Sequence, residues 1–309
     1  MEPQNRELGP KLFEPLGPAA PDSHEAARLS LGFWEDSWQR LKRNRGALTG
    51  LVVILVLIVL AAVGPLVSHY TPYEQDLSNQ FVGPSAQHWF GTDDFGRDMW
   101  TRVWAGTRIS LYIAFLAALL DMIVGVSYGA TSGLFGGRTD ELMQRGIEIL
   151  NGIPSVIVVV LTMLVLKPGI ITISIALGIN GWTYMALITR SRILQLKEQE
   201  FALASRSLGA GQICLLTKHL LPNSMGPLIV QLMLTIPVAI FFEAFLSFIS
   251  LGIQVPDASL GSLISDGYRE LRFHPYLLWF PAAILSLLMI CFNLLGDGLR
   301  DALDRRMRR

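Results

Sequence analysis

The stretch EFALASRSLGAGQICLLTKHLLPN, residues 200–223, lies between two long apolar runs and decides how the chain is read. Glycine and proline interrupt it, and it is too polar to cross a bilayer. Yet Phe201, Ala204, Ser205 and Leu208 fall at i, i+3, i+4 and i+7, the spacing of one helical face. Gly209, Ala210 and Gly211 then predict a stop, because glycine readily takes the left-handed conformation that ends helices. Ile213, Leu216, Thr217 and Leu220 repeat the spacing, and Pro222 is expected to close this second piece. The positions expected to be exposed on the first piece, Ala202, Ala204, Ser205 and Ser207, are small. A helix with so thin a surface suits a groove on another protein. Because it joins two apolar runs, whatever grips it can shift both as one rigid body.

Working outward, the flanking runs belong to a set of six. Segments with few or no charges cover about residues 49–67, 109–131, 147–166, 170–189, 228–250 and 276–296. Each is close to the ~20 residues a helix needs to cross hydrocarbon. Only 16% of the chain is charged, against about a quarter in an ordinary soluble domain. An all-α membrane protein with six transmembrane helices is expected. An even number of spans puts both termini on one side. Seven Lys and Arg precede residue 49, two lie in 132–146, five in 190–227 and five after 296, whereas the opposite side receives six. The positive-inside rule therefore places both termini and the 190–227 loop in the cytoplasm. Net charge is zero, which gives no case for nucleic acid. Cys214 and Cys291 fall in a cytoplasmic loop and a span, so a structural disulfide is not expected. The first apolar run starts too late for a cleaved signal peptide and reads as a signal-anchor.

The division expected is a flexible cytoplasmic tail at 1–29, an amphipathic interfacial helix at 30–48, the first span at 49–67, an external loop at 68–108, and a core domain at 109–309. In the interfacial helix Phe33, Trp34, Trp38 and Leu41 share a face and Arg40, Lys42, Arg43 and Arg45 follow, a pattern suited to lipid headgroups or to packing on the protein itself. The external loop contains GTDDFGRD. Its carboxylates lack the EF-hand spacing, and Gly91, Thr92, Asp93, Gly96, Arg97 and Asp98 read as a hydrogen-bonded turn and helix cap; no metal is expected. Ser259, Leu260, Leu263 and Ile264 suggest a short helix on the outer face.

Gly125, Gly129 and Gly133 form a small-residue ladder along the second span, where another helix can approach closely. They also create GVSYG, a formal nucleophile-elbow match, but that motif needs a strand–turn–helix context. Asp121, Asn180 and Glu243 are polar groups inside spans. Such groups line a wet path or join helices, and both readings stand. Glu148 lies near the cytoplasmic end and can reach water. No Gly-x-x-x-x-Gly-Lys-[Ser/Thr] occurs, so the chain is not expected to bind or hydrolyse ATP itself. No catalytic residue is expected.

EFALASRSLGAGQICLLTKHLLPN resembles the EAA loop of binding-protein-dependent ABC importer permeases, with Ala204, Ser205, Gly209, Leu220, Leu221 and Pro222 at matching positions and Leu203 where the motif has Glu. GTDDFGRD is similar to an external signature of peptide permeases, with Phe95 at a Leu position. EAFLSFISLGIQVPDASLGSLISDG and GDGLRDALDRRMRR resemble two further signatures of the C-type permease of the dipeptide/oligopeptide/nickel branch. The resemblance implies the type I importer permease fold. It implies partnership with a homologous second permease, two cytoplasmic ATPases and an external solute-binding protein, with ATP and Mg held by the ATPases and a peptide as cargo. It makes the helix near 200–210 a coupling helix, with Glu200, Phe201, Ala204, Ser205, Leu208, Gly209 and Ala210 at the ATPase contact. Nickel chelates or other small solutes are alternative cargo. An ATPase-independent secondary transporter, marked by inverted repeats, is the competing class.

Overall fold

The computed structural model describes residues 33–166 and 169–303. The tail expected at 1–29 and the last six residues of the C-terminal signature lie outside them. The described chain is helical. It has α1 (Phe33–Arg43), α2 (Arg45–Val67), α3 (Met99–Phe135), α4 (Gly137–Asn151), α5 (Ser155–Val165), α6 (Ile170–Lys197) and α7 (Glu200–Ser207). Next come α8 (Gln212–Phe248), α9 (Leu260–Arg269) and α10 (Tyr276–Leu303). Among the described residues there is no strand beyond one isolated bridge between Thr92 and Asp98.

Five helices are long and apolar enough to span a membrane, and α4 with α5 supplies a sixth only as a bent pair. The single span expected at 147–166 is therefore corrected. The chain turns by 80° between α4 and α5, where Gly152 and Pro154 fall. Proline lacks the N–H that would continue the helix and pushes Ile153 out of the helical region. The 11 residues of α5 reach about 16 Å, short of the ~30 Å hydrocarbon.

Two other helices overrun their expected ends. The 37 residues of α3 extend about 55 Å. It starts at Met99, so the end of the loop expected at 68–108 is already helix. Asp98 fixes that start by accepting from Thr101 N at 3.0 Å. Pro222 does not close a helix either. The chain passes from Gln212 through a π-helical turn, Leu216–Leu220, straight into the Leu221–Phe248 segment. A wider turn leaves room for a proline ring and releases carbonyls. Just beyond it, two side chains bond back to the turn's last carbonyls: Asn223 Nδ2 donates to His219 O at 2.7 Å and Ser224 Oγ to Leu220 O at 2.8 Å.

Small residues set the packing. A Cβ at Gly125 would stand 2.6 Å from Met185 Cβ, and one at Gly133 would stand 3.0 Å from Ile193 Cβ. At Gly129 it would collide with the Ala186 carbonyl. The ladder thus presses α3 onto α6 at backbone distance, as small-residue seams allow. α2 buries only Ala47, Gly50, Ile54, Leu57, Ala61 and Gly64, an alternation of three and four that makes one narrow seam. Val52, Leu55, Val56, Val59 and Val63 remain exposed on its other side, the arrangement expected where lipid is the solvent.

The main core lies among α2, α3, α8, α9 and α10, and a second forms where α5 and α6 meet α3. A third, of Leu134, Ile193, Ala202, Leu215 and Leu220, seats α7. Leu41 buries α1 against the main core while Trp34 and Trp38 stay exposed.

Candidate functional site

Helix α7 sits at the end of the bundle where α3 and α6 finish and α8 begins. Ala202 is 0% exposed, against Ile193, Leu134, Leu215 and Leu220. This corrects the expectation that Ala202 is a surface position. Having almost no side chain, it is the edge along which α7 can lie flat on its seat. Phe201 is 36% and Leu208 90% exposed. Glu200, Ala204 and Gly209 are exposed, and Ser205 and Ala210 half-buried. None of the residues expected at the ATPase contact is buried. Gly209 ends the helix at φ +86°, with its N–H on Arg206 O at 2.9 Å and Ala210 N–H on Ser205 O at 3.1 Å. This is the paired closure that leaves a left-handed glycine just past a helix.

The seat is locked by a polar cluster. Arg190 of α6 donates Nε and Nη2 to the two oxygens of Asp140 of α4, each at 2.5 Å. Asp140 Oδ1 also accepts from Ser132 Oγ of α3 at 2.5 Å, and Gln144 Nε2 donates to Ser132 Oγ at 3.1 Å. Lys197 Nζ donates to Leu134 O at 2.6 Å. A bidentate guanidinium–carboxylate pair fixes orientation as well as distance. Three helices are held together at the end of the bundle that carries α7. None of these residues stood out in the sequence, because the partners are far apart along the chain and carry no local pattern.

At the opposite end the GTDDFGRD stretch forms a compact turn. Asp93 Oδ1 accepts from the N–H groups of Phe95 and Arg97, both at 2.9 Å. Its Oδ2 meets Arg97 Nε at 2.7 Å and Arg102 Nε at 3.3 Å. Asp98, the α3 cap, contacts His88 Nδ1 at 3.0 Å. Thr92 Oγ1 donates to Asn79 O at 2.6 Å, and Tyr276 Oη donates to Thr92 O at 2.9 Å. Gly91 and Gly96 supply positive φ, +80° and +71°. The carboxylates are spent on arginines, a histidine and backbone, and among the described residues no three His, Cys, Asp or Glu side chains gather as a metal site. Beside this turn, Asp94, Asp266 and Glu270 border a cleft floored by Met99, Leu263 and Leu277. Loss of water pushes the Asp94 and Asp266 carboxyls above the usual carboxylate range.

Between the ends, Asp121 is buried where α3 crosses α6, its carboxylate lying against Gly181. Asp121 Oδ1 and Asn180 Oδ1 are buried with no hydrogen-bond partner among the described residues. Glu243 is 0% exposed. Its Oε2 accepts from Ser110 Oγ at 2.7 Å and its Oε1 from Ser247 Oγ at 2.8 Å. The carboxylate opens onto no surface of the chain.

The class these features define is a multi-pass α-helical membrane protein. Residues 125–309 match the family described as "binding-protein-dependent transport system inner membrane component", and residues 32–84 match the "N-terminal TM domain of oligopeptide transport permease C". The chain is 47% identical to the oligopeptide transport system permease protein OppC of Bacillus subtilis over 96% of its length and 98% of that protein. It is 48% identical to the dipeptide transport system permease protein DppC of the same organism, over 93% and 90%. It is 40% identical to the OppC of Salmonella typhimurium, over 89% and 92%. Among solved structures, a chain of the MetNI methionine ABC transporter in inward-facing conformations superposes with a TM-score of 0.55 at 18% identity, covering 67% of this chain and 98% of that one.

The chain belongs to the family of binding-protein-dependent transport system inner membrane components, and it has the ABC importer permease fold. It is a multi-pass inner-membrane protein and a transport subunit rather than an enzyme.

Proposed function

We propose that this permease carries peptides inward, as half of a path completed by a homologous second permease. One of two ATPase subunits grips α7 from the cytoplasm, the pair holds the ATP and Mg, and an external solute-binding protein delivers the cargo. The peptide class rests on the relatives named for oligopeptide and dipeptide transport. The observation that carries the mechanism is Leu208, an apolar side chain 90% exposed at the tip of a helix seated on α3, α6 and α8. An exposed leucine on a short protruding helix can serve as the apolar anchor of a helix laid in a partner's groove. Closure of the ATPase pair would drag α7, and through the Asp140–Arg190 pair the bundle turns as a body.

In this reading the end of the bundle bearing α7 faces the cytoplasm, in keeping with its excess of Lys and Arg. α1 lies at the interface on that side. Its exposed Trp34 and Trp38 sit at headgroup depth, with Lys42 Nζ 5.1 Å from the Trp38 ring. Asp121 and Asn180 border the path, their unmatched oxygens open to a donor when α3 and α6 change contact. The external turn at 91–98 and α9 face the binding protein.

The test is uptake of labelled di- and oligopeptides into proteoliposomes holding the complete complex. Uptake should require the ATPase pair, ATP and the binding protein, and should leave the peptide uncleaved. Uptake that persists without the ATPases would assign the chain to secondary transport instead.

A further inference from the structure

Glu243 is the one acidic side chain in α8, and it is fully enclosed. Its neighbours are hydroxyls from three different elements. Ser110 of α3 donates to Oε2 at 2.7 Å and Ser247, one turn on in α8, donates to Oε1 at 2.8 Å. Each of these serines has a second role. Ser110 Oγ accepts from the backbone N–H of Leu260, the first residue of α9, at 3.2 Å. Ser247 Oγ lies 3.2 Å from Ser259 Oγ, and Ser259 is the α9 cap. Ser259 Oγ in turn accepts from Ser262 N at 3.2 Å, and Ser262 Oγ accepts from Ser259 N at 2.9 Å.

The chain of donors therefore runs from the start of α9 to a single acceptor, the Glu243 carboxylate. A helix start presents unpaired N–H groups. An acceptor reached through two hydroxyls satisfies that demand. Packing supports the same junction. Gly261 comes so close to α8 that a Cβ there would run into the Ala244 backbone, and Gly267 lies against Leu277 of α10.

We propose that Glu243 is a positioning residue: through Ser110, Ser247 and Ser259 it pins the start of α9 to α3 and α8, so that the outer-face helix and two spans form one rigid piece. On this account Glu243 does not line the path. Its two oxygens are engaged in holding α9, whose other edge carries Asp266, Tyr268 and Arg269 at the surface.

The test measures the pin directly. A cysteine replaces Leu260, which is fully buried, in the complete complex with Cys214→Ser and Cys291→Ser. Labelling by a membrane-impermeant maleimide reports how often the start of α9 lifts. Glu243→Ala is expected to raise the labelling rate at least tenfold. Glu243→Gln keeps a carbonyl acceptor and an amide that a rotated hydroxyl can accept, and should stay within about threefold of the parent. Ser247→Ala, a smaller change that keeps the fold if Glu243→Ala does not, should fall between them. Labelling unchanged in Glu243→Ala and Ser247→Ala would overturn the pin. So would a Glu243→Gln protein that labels like Glu243→Ala, since charge rather than hydrogen bonding would then be at work.

The functional consequence depends on the importer reading. Glu243→Ala should raise several-fold the binding-protein concentration that half-saturates uptake, and Glu243→Gln should restore it. Altered labelling with unaltered half-saturation would keep the pin and deny α9 its part in docking. The labelling rate does not depend on what the complex carries, so failure of the pin and failure of the importer reading are separable.

Discussion

Replacing Leu208 with Ala probes the contact between this permease and the subunits that drive it. Leu208 is 90% exposed, so nearly all of the free energy of burying it is available to a partner. Full burial of leucine stabilises by about 1.5–3 kcal/mol, and truncation to Ala forfeits about 2 kcal/mol of that. Two kcal/mol is about a 30-fold change in dissociation constant. The substitution removes almost no contact within the chain, so thermal stability of the permease pair should be unchanged. In lipid nanodiscs titrated with the ATPase pair, the half-saturating ATPase concentration should rise about 30-fold and peptide uptake should fall at limiting ATPase. Leu203 is a matched control. It is also exposed, at 51%, but lies on the far side of α7 from Leu208, since helical residues advance about 100° each. Leu203→Ala should change the titration less than threefold. A Leu208→Ala protein that binds the ATPases normally and transports at the parental rate would refute the assignment of this surface.

Three further outcomes follow from the packing and the charges. Gly129→Ala drives a methyl into the Ala186 carbonyl and should cost about 1–3 kcal/mol of stability, seen as a lower unfolding temperature in detergent, with Gly129→Leu failing to assemble. Arg190→Lys retains charge but loses the two-pronged contact with Asp140, so it should impair uptake nearly as much as Arg190→Ala, with ATPase binding preserved, because α7 remains while its base loosens. Asp266, at the cleft's edge, has its carboxyl raised by partial loss of water, so only between the ordinary carboxylate range and the raised value does the folded state hold a proton that the unfolded state has released. Stability should therefore fall as pH rises from the ordinary carboxylate range through the raised value. Asp266→Asn should melt higher than the parent at pH 8 and no higher at pH 3, measured by intrinsic fluorescence.

The spans were legible because hydrocarbon demands long uncharged runs, and little else in a sequence looks like that. Their ends were less so. A reading by hydropathy stops where the bilayer stops, whereas α3 begins at Met99 because Asp98 caps it there, and α8 extends back to Gln212 because a π-helical turn absorbs Pro222. The break in the third span coincides with Gly152 and Pro154, residues in plain view, but the apolar run passes through them and hides the bend. Helix α7 was readable from its spacing and its glycine stop. Which edge it buries was not, since Ala202 gains its place only from Leu215, Leu220 and Ile193. The Asp140–Arg190 pair and the serines around Glu243 are products of topology, joining positions 50 and 133 residues apart.

The central claim is that an ATPase holds α7 and moves it. The direct measurement places a cysteine at Ala204, exposed on the open surface of α7, in a Cys214→Ser, Cys291→Ser background. The complex carries a partner cysteine in the ATPase groove, and disulfide crosslinking is compared with and without ATP. The account predicts a crosslink whose yield changes when ATP binds. No crosslink in either state, together with peptide uptake that survives removal of the ATPases, would contradict it.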